Sequence, residues 1–552
     1  MKNVYIDLHY WLDMPYETAQ KKLEFQLKEI YKPAYSPDEQ IIFLHSGDFY
    51  VKNSKLGLIL RNVQSMLNDI DISNSFVLIS STNTNIANEI DLLKNISVDP
   101  VPLRYEQRIG EYQHRQLELH PYSSKENYAY GSVNPLKISL ENISKKERHL
   151  LSESKTFCMY PWIHLHAYPT GEVLPCCMAD PAGQLGSSRD NTLEQIWNSE
   201  TMKNLRLDML NERKSIACTR CYESEKSGFF SGRQSANKHH GHLIERVLDT
   251  QEDGTYNTFE MVYWDIRFSN LCNLKCRSCG HIFSSQWYKD QAQLAGPDWA
   301  SKNKPLIYAG RHETDMIEQL LEHIDFVEQI YFAGGEPLVM EEHYIILEEL
   351  YKRNKTDVRL IYNTNFTQTK LKDKSVFDYW AKFPNVSVGA SLDGMGKHAE
   401  YIRSGTKWNK VEQNRREMME KCPHVDFYVS ATLSIMNALH LPEFHRKWTE
   451  QGFIHAQDFN VNIVMDPPFY RLDIAGADFK QKVKELYHKH LNWLKPQDKL
   501  NRASQGFESA INFMLATDNS ELLDQFWQKT NQLDKLRKEK LLDSIPELEA
   551  LS

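Results

Sequence analysis

No run of 18 uninterrupted apolar residues occurs in the 552-residue chain, so the sequence predicts no membrane-spanning helix. Its start, Met1-Lys-Asn-Val-Tyr-Ile-Asp-Leu, lacks the long apolar stretch of a secretory signal, and a cytoplasmic location is expected. There is no surplus of positive charge. The net charge of −9 argues against nucleic-acid binding through bulk electrostatics. No internal repeat or low-complexity tract appears, which excludes solenoids and fibrous arrays. The first 120 residues carry no glycine-rich phosphate fingerprint. What remains is an ordinary globular composition, 41% hydrophobic and 25% charged, long enough for about two to four domains.

Cysteine is sparse, nine in the chain, yet eight of the nine fall in two short stretches. In a reducing compartment clustered cysteine reads as metal ligation rather than disulfide. The ninth, Cys422, reads as a buried idle thiol. The tighter stretch is Arg267-Phe-Ser-Asn-Leu-Cys272-Asn-Leu-Lys-Cys276-Arg-Ser-Cys279-Gly280, with spacing Cys-x3-Cys-x2-Cys. Chance would place such a triplet in a chain of this cysteine content about 0.002 times. Three thiolates on one loop can hold three irons of a four-iron cluster and leave the fourth open to a ligand. A structural zinc ion prefers four protein ligands, and only His281 lies near the triplet as a fourth.

On these residues the chain resembles the radical SAM enzymes, whose signature is the same cysteine triplet on the loop after the first barrel strand. It also has the Gly-Gly-Glu-Pro segment that family places after the second strand, here Phe332-Ala-Gly334-Gly335-Glu336-Pro337-Leu338. The gap from Cys279 to Gly334 suits one helix, a connection and a parallel strand. The family has an aromatic residue just before the third cysteine, where this chain has Ser278. The resemblance implies a [4Fe–4S] cluster on Cys272, Cys276 and Cys279, with S-adenosylmethionine at its open iron. It implies that Gly334, Gly335 and Glu336 line the amino group of that cofactor and that Pro337 fixes the following turn. Gly389-Ala-Ser391-Leu-Asp393-Gly394 is similar to the Ser-x-Asp-Gly segment of related enzymes. Ser391 and Asp393 are then expected at the cofactor ribose, and Arg403 at its methionyl carboxylate, which a fixed fork of donors suits. A capping role for Ser391 and Asp393, and a structural pair for Arg403, stand as equal alternatives.

The second set runs Cys158-Met-Tyr-Pro-Trp-Ile-His164-Leu-His166-Ala-Tyr-Pro-Thr-Gly171-Glu-Val-Leu-Pro-Cys176-Cys177, then Cys218-Thr-Arg-Cys221. Pro169-Thr-Gly171 between two apolar runs predicts a hairpin turn. The hairpin would bring Cys158 near Cys176, and Cys218 and Cys221 would supply two more thiolates. Spacing alone serves zinc and a cluster equally. The pattern resembles the twitch domain, the shortened relative of the SPASM domain, which implies one auxiliary [4Fe–4S] cluster on Cys158, Cys176, Cys218 and Cys221. Cys177 could exchange with Cys176 as ligand. The module precedes the barrel here, whereas the family places it after. Thr192-Leu-Glu-Gln-Ile-Trp197 is similar to the helix that follows the hairpin, with Trp197 as packing. His164 and His166 share one strand face and read as ordinary surface or core histidines. Lys238-His239-His240-Gly-His242 reads as a solvated loop.

The expected fold is α/β: a partial parallel (β/α)6 barrel with an N-terminal α/β domain, a small cysteine-rich module and a C-terminal helical segment. The boundaries are 1–120, a linker over 121–155, the twitch-like module over 156–245, the barrel over 258–470 and helices over 471–552. In the first domain Val4, Ile41 and Phe76 open strands, with helical patterns over 15–31, 56–67 and 86–93. Asp48 and the Ser80-Ser-Thr-Asn-Thr run follow strands and read as polar loops. Barrel strands are expected at Tyr263, Gln329, Val358, Val386, Phe427 and Asp458. Leu486, Leu491, Trp493 and Leu494 form an apolar packing stripe.

The resemblance implies a radical SAM oxidoreductase that cleaves S-adenosylmethionine reductively and abstracts hydrogen from a substrate, with a peptide or protein favoured. A small carbinol or nucleotide substrate, and a non-catalytic metal-binding role, are the alternatives. It also implies an external low-potential electron donor of the flavodoxin or ferredoxin type.

Overall fold

The computed structural model describes residues 144–226, 230–498 and 501–551, with the backbone of three strands before them. These are β1 (Lys2–Asp7), β2 (Glu39–His45) and β3 (Val77–Ser80), a parallel sheet in the order β1-β2-β3. All three fall where the apolar runs predict them. The helices expected over 15–31, 56–67 and 86–93, and Asp48, lie outside the described residues.

A nine-stranded sheet organises the rest. Its strands are β4 (His164–Ala167), β5 (Glu172–Leu174), β6 (Gly186–Ser187), β7 (Tyr263–Ile266), β8 (Gln329–Phe332), β9 (Arg359–Thr364), β12 (Val386–Ala390), β13 (Asp426–Leu433) and β14 (Phe459–Ile463). A two-stranded ribbon, β10 (Lys370–Leu371) with β11 (Lys374–Ser375), stands apart. The sheet order is β14-β13-β12-β9-β8-β7-β4-β5-β6. From β7 to β14 every neighbouring pair is parallel, and all six strands sit in the segments expected for them. Helices make the crossovers, as parallel pairing requires. Trp264, Ile266, Ile330, Phe332, Leu360, Val386, Val388, Val429 and Ala431 belong to the main apolar core. Helix Glu341–Lys352 buries Tyr344, Ile346, Leu347 and Leu350 against it. Alternate residues on these strands, such as Asp265, Tyr331, Asn363, Ser387 and Tyr428, face the other way. That second face is polar.

The cysteine-rich hairpin does not stand apart from this sheet. β4 and β5 pair antiparallel, with Gly171 at the tip in the left-handed region (φ +92°). But β4 also pairs parallel with β7, His164 opposite Tyr263 and His166 opposite Asp265. The hairpin thereby covers what would be an open edge of β7. Helix Lys145–Ser152, capped by Ser144 and Glu147, lies in the stretch read as a polar linker. His239 and His240 end helix Gly232–His240, and His240 is buried rather than solvated. Trp197 is 1% exposed and packs as expected. At the C-terminus, Leu491 and Leu494 are buried on helix Ala477–Leu494, and Leu486 and Trp493 pack against the core. Among the described residues no helix is long and apolar enough to cross a membrane.

Candidate functional site

The ends of β7, β8, β9 and β12 meet at one rim, where α/β sheets place their chemistry. The loop after β7 carries Cys272 and Cys276, both 6% exposed, and the half-buried Cys279. Leu274 N donates to Cys272 Sγ at 3.5 Å and Asn365 Nδ2 lies 4.0 Å from the same sulfur. Arg403 Nη1 lies 3.7 Å from Cys276 Sγ. N–H donors around sulfur suit thiolates that carry negative charge. A hydrogen bond from Cys279 and the charge of Arg403 pull the Cys276 thiol below its usual range, while Cys279 is pushed up.

The Gly334-Gly335-Glu336 segment is pressed against this loop. Glu336 N donates to Leu271 O at 2.8 Å. A Cβ on Gly335 would stand 2.1 Å from Leu271 O, so only glycine permits the contact. Gly334 adopts φ +122° beside Arg267. The Glu336 side chain turns inward. It accepts from Thr364 Oγ1 and Asn365 N, both at 2.6 Å, and from Leu338 N at 3.1 Å. Thus it latches the end of β8 to the end of β9. Pro337 begins the short turn Pro337–Val339.

Arg403 Nε donates to Asp393 Oδ2 at 2.7 Å and Nη2 to Oδ1 at 3.1 Å. Thr432 N also donates to Asp393 at 2.7 Å. Asp393 therefore holds Arg403 beside Cys276 and joins the ends of β12 and β13. Ser391 is half-buried, its N–H donating to Thr364 O at 2.7 Å. The rim so brings the cysteine triplet together with Gly334, Gly335, Glu336, Asp393 and Arg403.

Burial raises the Glu336 carboxyl to about 7, against hydrogen bonds from Thr364, Asn365 and Leu338 that pull it down. Its unfolded-state value is near 4.5. The folded form therefore binds the proton more tightly, and its contribution to stability is complete below pH 4.5 and lost as pH rises through about 7. In the cluster-free protein this loss is at most about 3 kcal/mol. Glu336→Gln is expected to remove it: in chemical denaturation the stability of wild type relative to the variant should fall as pH rises from 4.5 to 7.

The second cysteine set gathers at the open end of the hairpin. Asp180 N donates to Ala217 O at 3.0 Å, and a Cβ on Gly183 would lie 2.4 Å from Ala217 Cβ. This contact lays the chain after Cys176 against the turn before Cys218. Helix Gly232–His240 holds the Cys158 side: Arg233 Nη1 donates to Phe157 O at 2.9 Å and Asn237 Oδ1 accepts from Met159 N at 3.0 Å. Burial pushes the Cys158 thiol up, and Cys218 and Cys221 add to it. Burial likewise raises Cys176, with Cys177, Cys158 and Cys218 adding, and Cys218 reaches about 12 with Cys221 beside it. Buried thiols raised together need a cation to ionise. Cys177 faces another way. Burial pushes its thiol up to about 12, and its next largest influences are the Asp265 carboxylate, which adds to that, and Arg267, which opposes it. Among the described residues no three or more His, Cys, Asp or Glu side chains converge on one metal-ion position. A cubane differs from a zinc ion in taking its thiolates at separate irons.

Several residues at the rim escaped the sequence reading. Asn365 bridges Cys272 and Asn273, whose Oδ1 its amide reaches at 2.8 Å. Trp287, 6% exposed, donates its indole N–H to Cys276 O at 2.8 Å. Arg277, between two of the cysteines, is buried and paired with the C-terminal residues Asp534 and Glu539. The Asn-Thr-Asn365 end of β9 was a visible signal. Trp287 and Arg277 carried none, since their partners are remote.

Residues 158–222 match the SPASM iron–sulfur cluster-binding domain model. No curated protein matches the chain. Among solved structures, native anSMEcpe with bound AdoMet and Cp18Cys peptide is 18% identical at TM-score 0.29, covering 42% of this chain and 60% of its own. The same enzyme with Kp18Cys peptide is 19% identical at TM-score 0.29 with the same coverage, and with AdoMet alone 21% identical at TM-score 0.28. The chain spans about 60% of the length of those structures. Residues 158–222 are thus a SPASM-type iron–sulfur domain, carried ahead of the Cys272-Cys276-Cys279 loop.

Proposed function

We propose that this protein is a radical SAM oxidoreductase acting on a peptide or protein, supplied with electrons by a flavodoxin- or ferredoxin-type donor in the cytoplasm. We also propose that β7, β8, β9, β12, β13 and β14 form its partial (β/α)6 barrel. The observation that carries the reading is the convergence of the cysteine triplet, the Gly334-Gly335 contact and the Arg403–Asp393 pair at one rim. The thiols fit an iron–sulfur group, because amide and guanidinium N–H groups already point at two of their sulfurs. With S-adenosylmethionine at an open iron, a [4Fe–4S] cluster on Cys272, Cys276 and Cys279 supplies one-electron cleavage to methionine and a 5′-deoxyadenosyl radical, which takes a hydrogen atom from substrate.

The chain's own residues prepare the site. Asp393 fixes Arg403 so that one guanidinium nitrogen faces Cys276. The bare backbone of Gly334 and Gly335 lets the end of β8 press against the cysteine loop. Trp287 and Leu274 wall the loop from solvent. Cys158, Cys176, Cys218 and Cys221 are the ligands we assign to the auxiliary cluster, which would accept the electron that substrate oxidation releases.

Anaerobic reconstitution tests both assignments. About eight irons and eight sulfides per chain are expected, four for each cubane. Dithionite-reduced protein should form 5′-deoxyadenosine. Cys218→Ala should keep that activity while losing about four irons. Intact clusters that yield no 5′-deoxyadenosine would instead mark a non-catalytic metal protein.

A further inference from the structure

Beyond the rim, the polar face of the sheet carries a buried patch that the cysteine sites do not use. His164 and His166 on β4 stand opposite Tyr263 and Asp265 on β7. Residues two apart on a strand share a face, and here it is the face turned away from Trp264 and Ile266. His166 Nδ1 lies 3.0 Å from Asp265 Oδ2, and both side chains are 0% exposed. Arg267 Nε lies 3.6 Å from Asp265 Oδ1. His164 stacks on Tyr263 at 4.3 Å and 15°. Its Nδ1 sits 2.9 Å from the Tyr263 carbonyl oxygen. A carbonyl only accepts, so Nδ1 carries the proton and Nε2 is a bare acceptor.

No well-aligned protein hydrogen bond reaches His164 Nε2, either nitrogen of His166, either oxygen of Asp265, or Arg267 Nε. The Asp265 carboxylate still has His166 Nδ1 at 3.0 Å, Arg267 Nε at 3.6 Å and the Cys177 thiol beside it, so the atoms left bare are His164 Nε2 and His166 Nε2. Folded proteins leave few buried polar atoms unmatched, because each costs its desolvation. Two bare imidazole nitrogens on one strand face, beside a buried ion pair, mark a place that can take a hydrogen-bonding guest.

Position says which guest. A Cβ on Gly334 would stand 3.3 Å from Arg267 Cβ, so the patch abuts the Gly334-Gly335 turn. On its other flank the Cys177 thiol, next to Cys176, faces Asp265. The patch therefore lies between the two cysteine sets. Charge narrows the chemistry. Asp265 and Arg267 cancel, and burial holds His164 neutral by lowering it to about 4. A charged guest would find its counter-ion only by displacing one partner of the Asp265–Arg267 pair. An apolar guest would leave the acceptors dry. A primary amide brings two N–H donors and one carbonyl acceptor.

We propose that His164, His166, Asp265 and Arg267 form a subsite for an uncharged carboxamide group of a peptide substrate, its N–H groups on Asp265 and the imidazoles and its carbonyl on Arg267. Only the word substrate rests on the function proposed above. The reconstituted full-length protein, crystallised and soaked separately in acetamide, acetate and methylammonium, tests it. Acetamide is expected against Asp265 and His164, with the two ions absent. In calorimetric titration acetamide should bind at least tenfold more weakly to Asp265→Leu. His164→Phe, which keeps the ring over Tyr263 but loses Nε2, should weaken it likewise and serves if the first variant misfolds. Ordered waters that acetamide fails to displace would overturn the subsite, as would ions that bind as well as acetamide. Iron content and 5′-deoxyadenosine formation on the same samples separate this outcome from failure of the functional reading, since acetamide binding needs neither.

Discussion

Cys276→Ala is expected to abolish S-adenosylmethionine cleavage and to remove about four irons per chain while leaving the other four in place. Cys276 sits at the centre of the rim. Its sulfur is the one Arg403 approaches at 3.7 Å, its carbonyl receives the Trp287 indole N–H at 2.8 Å, and its thiol is the one drawn toward ionisation by Cys279 and Arg403. Removing it leaves two thiols on the loop and an Arg403 whose outer nitrogen has lost its sulfur. The auxiliary set shares no residue with this loop, so its irons should remain. The loss should exceed 10³-fold in 5′-deoxyadenosine formed per reduced protein, because without the third ligand no open-cornered cluster is retained. Arg403→Lys is the finer probe. It keeps a positive charge but cannot hold Asp393 through two nitrogens while offering a third to Cys276. Equal 5′-deoxyadenosine yields from wild type and Cys276→Ala would defeat the assignment of the first cluster.

Much of this site was legible because it is local. The cysteine triplet, the Gly334-Gly335 pair and the Ser391-x-Asp393 segment each occupy a few consecutive residues, and the parallel strands carry β-branched runs of the right length. The Gly171 turn was equally plain, since only a residue tolerant of φ +92° sits there without strain. What stayed hidden depends on partners far along the chain. Nothing in His164–Ala167 announces that its neighbour is β7, about a hundred residues on, because a strand's pattern records burial and not the identity of its partner. The contacts of the Glu336 side chain to Thr364, Asn365 and Leu338 were equally invisible. Such a latch forms only when two strand ends meet in space. His240 looked solvated for a similar reason. A run of histidines is polar in composition, and only the packing of Tyr160 and Tyr263 around it makes it a buried ring.

The remoteness of partners is greatest at Arg277, and the expected effect there is correspondingly large. Its Nη2 donates to Glu539 at 2.6 Å and also to Asp534, its Nε donates to Tyr401 O at 3.2 Å, and the guanidinium lies 3.7 Å from the Tyr401 ring. Tyr401 itself donates to Asp534 at 2.7 Å, and Ser404 to Glu539 at 2.7 Å. A second clamp stands on the other side of the loop, where Arg537 Nε donates to Asp290 at 2.7 Å and its guanidinium covers Trp287 at 4.6 Å. The helix Leu523–Arg537 thus grips the cysteine loop from both flanks, although some 260 residues separate them in sequence. Removing one partner of a buried pair costs about 3–5 kcal/mol, because the other charge is stranded. Arg277→Ala is expected to lower stability by that amount and to speed iron loss to a chelator at least tenfold, with the effect confined to the irons of the first cluster. Asp534→Asn should act in the same direction but less, since Glu539 still holds the guanidinium. Chelation rates measured below the onset of unfolding separate loop opening from global loss of structure, and a rate unchanged in Arg277→Ala would mean that the loop is held by its cluster alone.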